Sequence, residues 1–300
     1  MDLSIIIVSY NVRMYLLACL EAVYRQMVEI SLEVIVVDNV SGDGSVEAVR
    51  AAFPQVKLFA NAENIGFARG NNQGVRESSG RYVLFLNPDT EMGRGTLAGL
   101  AHFADVHPEA SVFTCRLSNS DGSLQHSCFR FPSLRMAFYG FFPLVPTDSV
   151  ANGRYPREYF DHVFGPEHIL GACLMIRREA LDAIGGWDDG FFMYFEETDL
   201  CYRLQRHGYM SLYTPDFSVV HHGGRSTGAE REKMSVAFYR SQAHFYRRNY
   251  GLLRFVALKG VVLFGLLFWT ARSCKNYLQR RIDGRLLKTR LVGYWEILRA

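Results

Sequence analysis

The sequence lacks several patterns that identify common classes of enzyme and binding protein. The turn after the first predicted strand reads Ser9-Tyr10-Asn11, which is neither the GxGxxG of a dinucleotide-binding fold nor the GxxxxGK[ST] of a P-loop. The six cysteines include no CxxC pair, so we expect reduced core thiols in a reducing compartment. A net charge of +3 is too small to indicate nucleic-acid binding over the whole surface.

Length and hydropathy limit the number of domains and the class of protein. A chain of 300 residues allows one large domain or two small ones. A mean hydropathy of -0.02 excludes a polytopic membrane protein. Met1–Val8 has no positively charged segment ahead of its apolar run, so it predicts a buried strand and not a signal peptide. We therefore expect the active part to be cytoplasmic.

Charge is unevenly distributed along the chain. Residues 247–300 contain twelve lysines and arginines but two acids, a net charge of +10, whereas the first 246 residues carry −7. An acidic body followed by a basic tail indicates two different tasks. We predict a domain at 1–228 and a helical, basic and apolar tail at 229–300.

The first 117 residues alternate between strand and helix patterns. Short continuous apolar runs predict buried strands, and apolar residues at helical spacing separate them. The predicted strands are Leu3–Val8, Glu33–Val37, Val56–Phe59, Tyr82–Leu86 and Ser111–Leu117, and the predicted helices are Tyr15–Tyr24, Ser45–Phe53, Ala68–Glu77 and Thr96–His107. This order indicates an α/β fold with a mostly parallel, doubly wound twisted sheet and helices on both faces.

The pattern is irregular in the middle of the chain. Residues 118–168 are rich in aromatic residues and proline, which predicts a long loop or lid over a site. Regular patterns then return. They predict a strand at Gly171–Arg177, helices at Glu179–Ile184 and Glu196–His207, a strand ending at Val219–His221 and a helix at Glu230–Tyr250.

Polar residues follow each predicted strand of the first half. In a doubly wound sheet, ligands bind beyond the carboxyl ends of the strands, which lie at one edge. The polar residues there are Ser9, Asn11, Asp38, the loop Asn64–Asn72, Asn87 and Asp89. Asp38 can accept hydrogen bonds from a ribose or a base edge, or it can serve as a turn carboxylate. The glycine-containing loop can equally be a plain turn.

Asp89 and His221 are candidates for a metal site. Asn87-Pro88-Asp89 holds a carboxylate at a strand end in a proline-stiffened turn, which suits Mg²⁺ or Mn²⁺ bound together with diphosphate oxygens. Taken alone, Asp89 can also cap the following helix. His221 ends a strand ahead of Gly223-Gly224, where a histidine can bind a metal or a diphosphate, although a single histidine is more often structural.

An aromatic segment, Phe191–Phe195, leads directly into three acids at a predicted helix start. Glu196, Asp199 and Arg203 share one stripe, and Asp199 stands four residues before Arg203 in the favoured order for an ion pair, so we expect a structural role for these three. Glu197 points about 100° away from Glu196. A carboxylate beside apolar rings has a raised pKa, as a general base needs, or it can simply favour the helix dipole.

Together these residues resemble the inverting, GT-A-fold glycosyltransferases of family 2, and most of all their bacterial rhamnosyltransferase-like branch. The resemblance covers roughly residues 3–228. Each motif is weak, but their number and order make the set specific. The matching segments are Val8–Asn11, Val36–Asn39, Asn64–Asn72, Asn87–Asp89, Gly171-Ala172, Gly185–Asp188, Phe195–Cys201 and His221 before Gly223-Gly224.

The resemblance implies a donor site in residues 1–117 and a lid and acceptor half in residues 118–228. The residues implied as contacts to the nucleotide sugar are Ser9, Asn11, Asp38, Asn64, Arg69, Asn72, Asn87 and Asp89. Asp89 corresponds to the last carboxylate of the family's DXD element and would hold Mg²⁺ or Mn²⁺ together with His221. Asn87 stands at the position of the first Asp of that element.

The resemblance also implies the reaction and the acceptor side. Glu197 falls where the family places its Asp base, so this chain has Glu-Glu in place of Glu-Asp. The residues implied on the acceptor side are Gly171, Ala172, Trp187 and Asp188. The reaction would be one in-line displacement at the anomeric carbon that inverts its configuration. The implied donor is dTDP-rhamnose or a UDP-sugar, and the implied acceptor is a polyprenyl-diphosphate-linked sugar or a glycan of the bacterial cell surface.

The tail predicts membrane contact. Phe255–Ala271 is a 17-residue apolar stretch interrupted by Lys259. As a helix it reaches about 25 Å, which is shorter than the ~30 Å hydrocarbon core of a membrane. We therefore expect a re-entrant or interface-lying segment rather than a full span. A buried core helix is the alternative. The basic amphipathic pattern beyond it is typical of helices on anionic membrane surfaces, whereas no nucleic-acid module is recognisable. We expect residues 252–300 to hold the protein at the cytoplasmic face of the plasma membrane.

Two other interpretations remain open from the sequence. A sugar-phosphate nucleotidyltransferase shares the fold class, but it needs a glycine-rich loop where this chain has Ser9-Tyr10-Asn11. The Glu196-Glu197 pair also allows an inactive nucleotide-sugar-binding scaffold of a glycan assembly complex.

Overall fold

The computed structural model describes residues 1–26, 30–147, 149–223 and 231–299, with the backbone alone for 231–233. The chain divides into two compact units. The first unit comprises Met1–Arg130, Tyr155–Phe192 and Glu196–Ser226, and the second comprises Phe131–Arg154, Met193–Phe195 and Thr227–Ala300. The predicted boundary at residue 228 lies outside the described residues. Residues 131–154, which the sequence placed in the lid of the first domain, belong to the second unit.

The first unit is built on a nine-stranded mixed sheet. Its strands are β1 (Leu3–Ser9), β2 (Leu32–Asp38), β3 (Lys57–Ala60), β4 (Tyr82–Leu86), β5 (Thr90–Met92), β6 (Ala110–Ser118), β7 (Leu124–Gln125), β10 (Cys173–Arg177) and β11 (Met210–His221). They lie in the order β3-β2-β1-β4-β10-β6-β11-β5, and β7 pairs with β6. A separate pair is formed by β8 (Cys128–Phe129) and β9 (His168–Ile169). The helices of this unit are α1 (Arg13–Tyr24), α2 (Ser45–Ala52), α3 (Phe67–Arg76), α4 (Thr96–Val106), α6 (Arg178–Ala183) and α7 (Glu196–Arg206).

The parallel half of the sheet follows from the apolar runs of the sequence. β1 pairs in parallel with β2 and β4, and β2 pairs in parallel with β3. All residues of β1 and β4 are buried, as expected for strands covered on both faces. Helix α3 packs closely on β1, because a Cβ at Gly74 would lie 2.5 Å from Ile6 Cγ2. The predicted α/β fold class is confirmed.

The other half of the sheet is partly antiparallel. β10 lies antiparallel between β4 and β6, β11 runs parallel to β6, and β5 pairs antiparallel with the end of β11. The sequence did not predict β5, which is three residues long. This short strand decides where the residues after β4 lie. All six cysteines are free thiols, as predicted, and Cys274 alone among them is not fully buried.

The second unit is helical in its described residues. Its helices are α5 (Leu134–Phe141), α8 (Arg231–Phe245), α9 (Gly251–Leu278) and α10 (Gly284–Arg299), with a π-helical turn at Tyr246–Tyr250 between α8 and α9. The predicted helix Glu230–Tyr250 begins outside the described residues. One face of α9 is buried through residues such as Leu258, Val262 and Leu266, and the opposite face exposes apolar side chains. The stretch Met234–Leu278 is long and apolar enough to cross a membrane by length and composition.

Candidate active site

The carboxyl ends of β1 and β2 bring Ser9 and Asp38 side by side. The two residues are register partners, and the Asn39 N–H donates to the Ser9 carbonyl oxygen at 2.8 Å. Both side chains are buried, yet within the described part of the chain Ser9 Oγ and Asp38 Oδ2 have no hydrogen-bond partner. Buried polar atoms are rarely left unpaired in folded proteins. These two atoms therefore indicate a polar ligand at this edge of the sheet.

Asn11 and the other oxygen of Asp38 hold the loop after β2. Asn11 has a φ of 52°, in the left-handed region that asparagine tolerates. Its Oδ1 accepts a hydrogen bond from the Gly42 N–H at 2.8 Å, and its own N–H donates to Ser41 Oγ at 2.9 Å. Asp38 Oδ1 accepts from the Ser41 N–H at 2.8 Å. Asn11 thus shapes the loop beside Asp38, and its contact with the donor stays a prediction.

Asn64, Arg69 and Asn72 lie at the start of α3 and along it. Asn64 Oδ1 accepts from the Gly66 N–H at 3.0 Å. Asn72 Nδ2 donates to the Trp187 carbonyl oxygen at 2.8 Å, and Asn72 Oδ1 accepts from the Trp187 N–H at 2.9 Å. Arg69 Nε donates to the carbonyl oxygen of Asp189 at 3.2 Å. Arg69 and Asn72 therefore fasten α3 to the segment at 187–189, and the donor contacts predicted for all three stay predictions.

Asp89 and His221 meet because β5 pairs with β11. Thr90 is the register partner of His221, so the preceding residue, Asp89, lies beside the imidazole. His221 Nε2 is 3.3 Å from Asp89 Oδ1 and 3.2 Å from Asn87 Nδ2. Both Asp89 and His221 are more than nine-tenths buried. The three residues predicted at this corner are thus brought together.

Gln125 orients His221. Its Oε1 lies 2.6 Å from His221 Nδ1, and its Nε2 donates to Asn119 Oδ1 at 2.8 Å, which fixes the direction of the amide. When the imidazole is neutral, Nδ1 therefore carries its proton and the lone pair of Nε2 faces Asp89. Sequence reasoning missed Gln125, because it lies in β7 within the aperiodic segment and no motif marks it.

The donor set at this corner fits a divalent cation. His221 Nε2 and Asp89 Oδ1 lie 3.3 Å apart, so one cation can be bound by both atoms. Among the described residues, no group of three or more His, Cys, Asp or Glu side chains is placed to hold a metal ion. Two protein ligands suit Mg²⁺ or Mn²⁺ in enzymes where the substrate phosphates complete the shell.

Glu197 lies in the first turn of α7, next to Glu196. Two consecutive residues before the helix, Tyr194 and Phe195, have φ values of 68° and 66°, which non-glycine residues rarely adopt and which often mark functional sites. In the described structure, Glu196 Oε2 and Glu197 Oε2 are buried and accept no hydrogen bond. Burial raises the pKa of Glu197 to about 7, and burial together with the charge of Glu197 raises the pKa of Glu196.

The structural role predicted for Asp199 and Arg203 is borne out by their geometry. Arg203 Nε donates to Asp199 Oδ2 at 2.6 Å. The two terminal nitrogens of Arg203 donate to the carbonyl oxygens of Ile184 at 3.0 Å and Gly186 at 2.7 Å. This fork fixes α7, and with it Glu197, to the turn after α6.

A chain of contacts connects Glu197 to the Asp89–His221 corner. A Cβ at Gly171 would lie 3.7 Å from the Cβ of Glu197, so the backbone of Gly171 borders that side chain. The next residue, Ala172, accepts a hydrogen bond from the Asn87 N–H at 3.0 Å through its carbonyl oxygen. Gly171-Ala172 thus lies between the candidate base and the candidate metal ligands.

Trp187 contacts α3 through Phe67 and Asn72, and Asp188 follows it in the chain. The Trp187 ring is buried, with its centroid 4.8 Å from that of Phe85 and 5.6 Å from that of Phe67. Trp187 Nε1 is also buried and finds no acceptor among the described residues. Asp188 Oδ1 accepts from the Gly190 N–H at 2.9 Å. The acceptor-side role predicted for Trp187 and Asp188 stays a prediction.

Comparison with known proteins gives a consistent result. Residues 4–185 match the family described as glycosyl transferase family 2. The N-acetylglucosaminyl-diphospho-decaprenol L-rhamnosyltransferase of Mycobacterium tuberculosis is 30% identical over 227 residues, which cover 70% of this chain and 73% of that protein. Rhamnosyltransferase WbbL of Escherichia coli is 29% identical over 167 residues, 52% of this chain and 61% of that protein.

A solved structure with the same fold is the mannosyltransferase PcManGT from Pyrobaculum calidifontis, in complex with GDP-Man and Mn²⁺. The two chains are 18% identical, and their superposition has a TM-score of 0.57 and covers 99% of this chain and 85% of that one. At this identity the likeness concerns the fold, which supports the α/β architecture described above.

Proposed function

Since the chain belongs to glycosyltransferase family 2 and is a glycosyltransferase, we propose that it is a metal-dependent, inverting enzyme. It transfers a sugar from a nucleoside-diphosphate sugar to a lipid-linked or polysaccharide acceptor, and rhamnose is the favoured sugar. The observation that supports this most directly is the run of contacts from Glu197 through Gly171-Ala172 to Asn87 and the Asp89–His221 pair. These contacts link a candidate base to a candidate cation-binding corner through the small residues Gly171 and Ala172.

The nucleotide is assigned to the edge formed by Ser9 and Asp38. Asp38 Oδ2 can accept a hydrogen bond from a ribose hydroxyl or from the N–H of a uracil or thymine ring. Ser9 Oγ can both donate and accept. A donor that pairs with these two atoms removes the cost of leaving them buried and unpaired, which favours binding.

Asp89 Oδ1 and His221 Nε2 would hold Mg²⁺ or Mn²⁺ together with oxygens of the donor diphosphate. When bound, the ion supplies neutralisation of the negative charge that grows on the departing diphosphate. Gln125 keeps His221 in the tautomer that presents Nε2 to this position.

Glu197 acts as the general base of the transfer. Its carboxylate takes the proton of the acceptor hydroxyl while that oxygen forms a bond to the anomeric carbon of the donor sugar, and the bond from that carbon to the diphosphate oxygen breaks. Attack from the face opposite the leaving group inverts the anomeric configuration. A pKa of about 7 suits the task, because a base is most effective when its pKa lies near the working pH.

The proposed acceptor is a polyprenyl-diphosphate-linked sugar or a growing glycan of the bacterial cell surface. The name of the Mycobacterium tuberculosis relative specifies such a lipid-linked acceptor for that protein. The apolar face of α9 and the net charge of +10 on residues 247–300 suit attachment to an anionic membrane. We place the enzyme at the cytoplasmic face of the membrane, with the tail lying in the interface.

A donor screen tests the proposal. Isothermal titration with dTDP-rhamnose, UDP-sugars and GDP-sugars, each with Mn²⁺ and with EDTA, is expected to give metal-dependent binding of one nucleotide class. Transfer to a lipid-linked acceptor is then assayed with that donor. Absence of binding to every donor, from protein with a cooperative thermal transition, would overturn the assignment of donor and metal.

A further inference from the structure

The helices of the second unit form a cavity, partly open to solvent, that the proposed reaction does not use. It lies among α8, α9 and α10 and has a volume of about 450 Å³. Its lining residues include Trp269, Arg272, Ser273, Asn276, Arg290 and Tyr294. A cavity of this size falls within the range of small-ligand sites, roughly 300–1,000 Å³.

Two arginines of this cavity have no acidic partner among the side chains that the structure describes. Among the residues that the structure describes, Arg272 and Arg290 form neither an ion pair nor a side-chain hydrogen bond. The acids described nearby are engaged elsewhere, because Glu296 pairs with Arg240 at 3.6 Å and Asp283 Oδ1 accepts from the Leu286 N–H at 2.7 Å. Two positive charges that no described acid compensates repel each other, and an anion bound by both reduces this repulsion.

The remaining polar groups of the cavity suit an oxyanion. Ser273 Oγ lies 3.2 Å from Tyr294 Oη, so one hydroxyl of this pair always has a proton to donate elsewhere. Asn276 adds an amide that can donate two hydrogen bonds. The planar guanidinium of arginine matches phosphate oxygens with two parallel donors. Together these side chains suit an oxyanion such as a phosphate group.

The cavity lies beyond the end of the exposed apolar face of α9. That face consists of Leu252, Leu253, Val256, Leu263, Phe264, Leu267 and Phe268. Arg272 follows Phe268 by one helical turn and so continues the same side of the helix. Trp269 and Tyr294 stand beside it, and these residue types are enriched at the level of lipid headgroups.

We propose that this cavity binds the phosphate of an anionic membrane glycerophospholipid through Arg272 and Arg290, which anchors the tail at a defined depth. The proposal rests on the membrane attachment given under Proposed function and is independent of the transfer chemistry. The ligand is a lipid phosphate because the apolar face of α9 leads to the cavity and provides a surface for the acyl chains.

The experiment compares Arg272→Gln/Arg290→Gln with a matched control, Arg281→Gln/Arg285→Gln, which removes the same charge from exposed positions outside the cavity. Dihexanoyl phosphatidylglycerol, kept below its micelle concentration, is titrated into each full-length protein. Each charge-assisted hydrogen bond contributes roughly tenfold or more to affinity. We expect the cavity variant to bind this lipid about 100-fold more weakly than the parent, and the control to bind it with at most about twofold loss.

Three further measurements separate the alternatives. Sedimentation is measured with vesicles of phosphatidylcholine, alone or mixed with phosphatidylglycerol. We expect the added anionic lipid to increase binding less for the cavity variant than for the control. If inorganic phosphate binds as tightly as the lipid, the assignment of the ligand as a lipid is overturned. If both variants lose the same affinity for the lipid, general charge attraction explains the binding and the proposed site is overturned. Donor titration in the same preparations distinguishes failure of this proposal from failure of the proposed function, because neither arginine pair belongs to the transfer site.

Discussion

Asp89 Oδ1 lies 3.3 Å from His221 Nε2, although the two residues come from distant parts of the sequence. The contact is set by the antiparallel pairing of β5 with β11, which places Thr90 opposite His221. A further hydrogen bond, from the His222 N–H to the Asp89 carbonyl oxygen at 2.9 Å, holds the corner. Backbone pairing thereby orients the two proposed ligands of a divalent cation.

The first prediction concerns this corner. Asp89→Asn keeps the shape of the side chain but removes the negative charge that attracts the cation. We expect kcat/KM to fall by about 100-fold or more and the Mn²⁺-dependent part of donor binding to disappear. Asp121→Asn is the control, because Asp121 is an exposed loop carboxylate that accepts hydrogen bonds from Ser123. Full Mn²⁺-dependent turnover in Asp89→Asn would exclude Asp89 as a ligand.

The second prediction uses two buried serines of β1. Ser9 Oγ has no partner within the described structure, whereas Ser4 Oγ donates to Glu33 Oε1 and accepts from the Gly80 N–H, both at 2.7 Å. We expect Ser9→Ala to leave the free energy of unfolding unchanged or slightly higher and to weaken donor binding about fivefold to tenfold.

The matched variant is expected to behave in the opposite way. Ser4→Ala leaves the Gly80 N–H without its partner and removes one of the hydrogen bonds to Glu33, so the free energy of unfolding should fall by about 1–3 kcal/mol while the donor Kd stays the same. Chemical denaturation and donor titration check both variants. An unchanged donor Kd in Ser9→Ala would remove Ser9 from the donor site.

The parallel half of the sheet could be predicted because its signals are local. The apolar runs at Leu3–Ser9 and Tyr82–Leu86 bury both faces, and the polar residue after each strand follows from chain order alone. Ser9 and Asp38 become neighbours as soon as β1 and β2 pair in parallel. Local sequence thus contains enough information for this part of the site.

The rest of the site depends on pairings between distant segments, which one sequence does not reveal. β5 is three residues long and has no apolar run, so the Asp89–His221 contact could not be derived from periodicity. Gln125 lies in a two-residue strand, and its role emerges only when β7 pairs with β6 beside the end of β11. The assignment of 131–154 to the second unit also depends on helix packing, since Phe141 stacks near Tyr239 and Trp269.

The third prediction concerns the base. Glu197→Gln keeps the size of the side chain but cannot accept the proton of the acceptor hydroxyl. We expect kcat to fall by roughly 10²–10⁴-fold with an unchanged donor Kd. Glu196→Gln is the neighbouring control and should change kcat by at most about tenfold. Glu197→Asp restores the acid usual in the family and should retain more activity than Glu197→Gln. Normal turnover in Glu197→Gln would rule out Glu197 as the base.

The fourth prediction is the pH dependence of the transfer. Burial raises the pKa of Glu197 to about 7, and the base must be ionised to act. We expect kcat/KM to rise about tenfold per pH unit below this value and to level off above it, since kcat/KM reports the ionisation of the free enzyme. A rate profile that is flat between pH 5 and 8, at saturating Mn²⁺, would contradict this assignment.

The free energy of unfolding should fall with rising pH, in the direction opposite to kcat/KM. The pKa of Glu197 is about 7 in the folded state and 4.5 for an ordinary glutamate, so between these values the folded state binds more protons than the unfolded state. The free energy of unfolding therefore falls as the pH rises from about 4.5 to 7. Glu197→Gln should remove this loss and raise the free energy of unfolding at pH 8 by about 3 kcal/mol, measured by denaturation at pH 5 and 8.

The fifth prediction compares two glycines of α9. A Cβ at Gly265 would collide with the ring of Phe141, which is itself buried, whereas nothing lies within 4 Å of a Cβ at Gly260. Gly265→Ala must therefore displace Phe141 from its contact with Trp269, where the ring centroids are 4.7 Å apart. We expect a loss of about 1–3 kcal/mol in the free energy of unfolding and a shift in tryptophan emission.

Gly260→Ala provides the opposite expectation on the same helix. Alanine is the better helix former by about 1 kcal/mol, and the new methyl group meets no neighbour, so the variant should be as stable as the parent or more stable. Because the two substitutions are chemically identical, any difference between them reports the packing of α5 on α9. Equal stability of both variants would mean that α5 does not pack on α9 at Gly265, and that the segment 131–154 is not held by the tail.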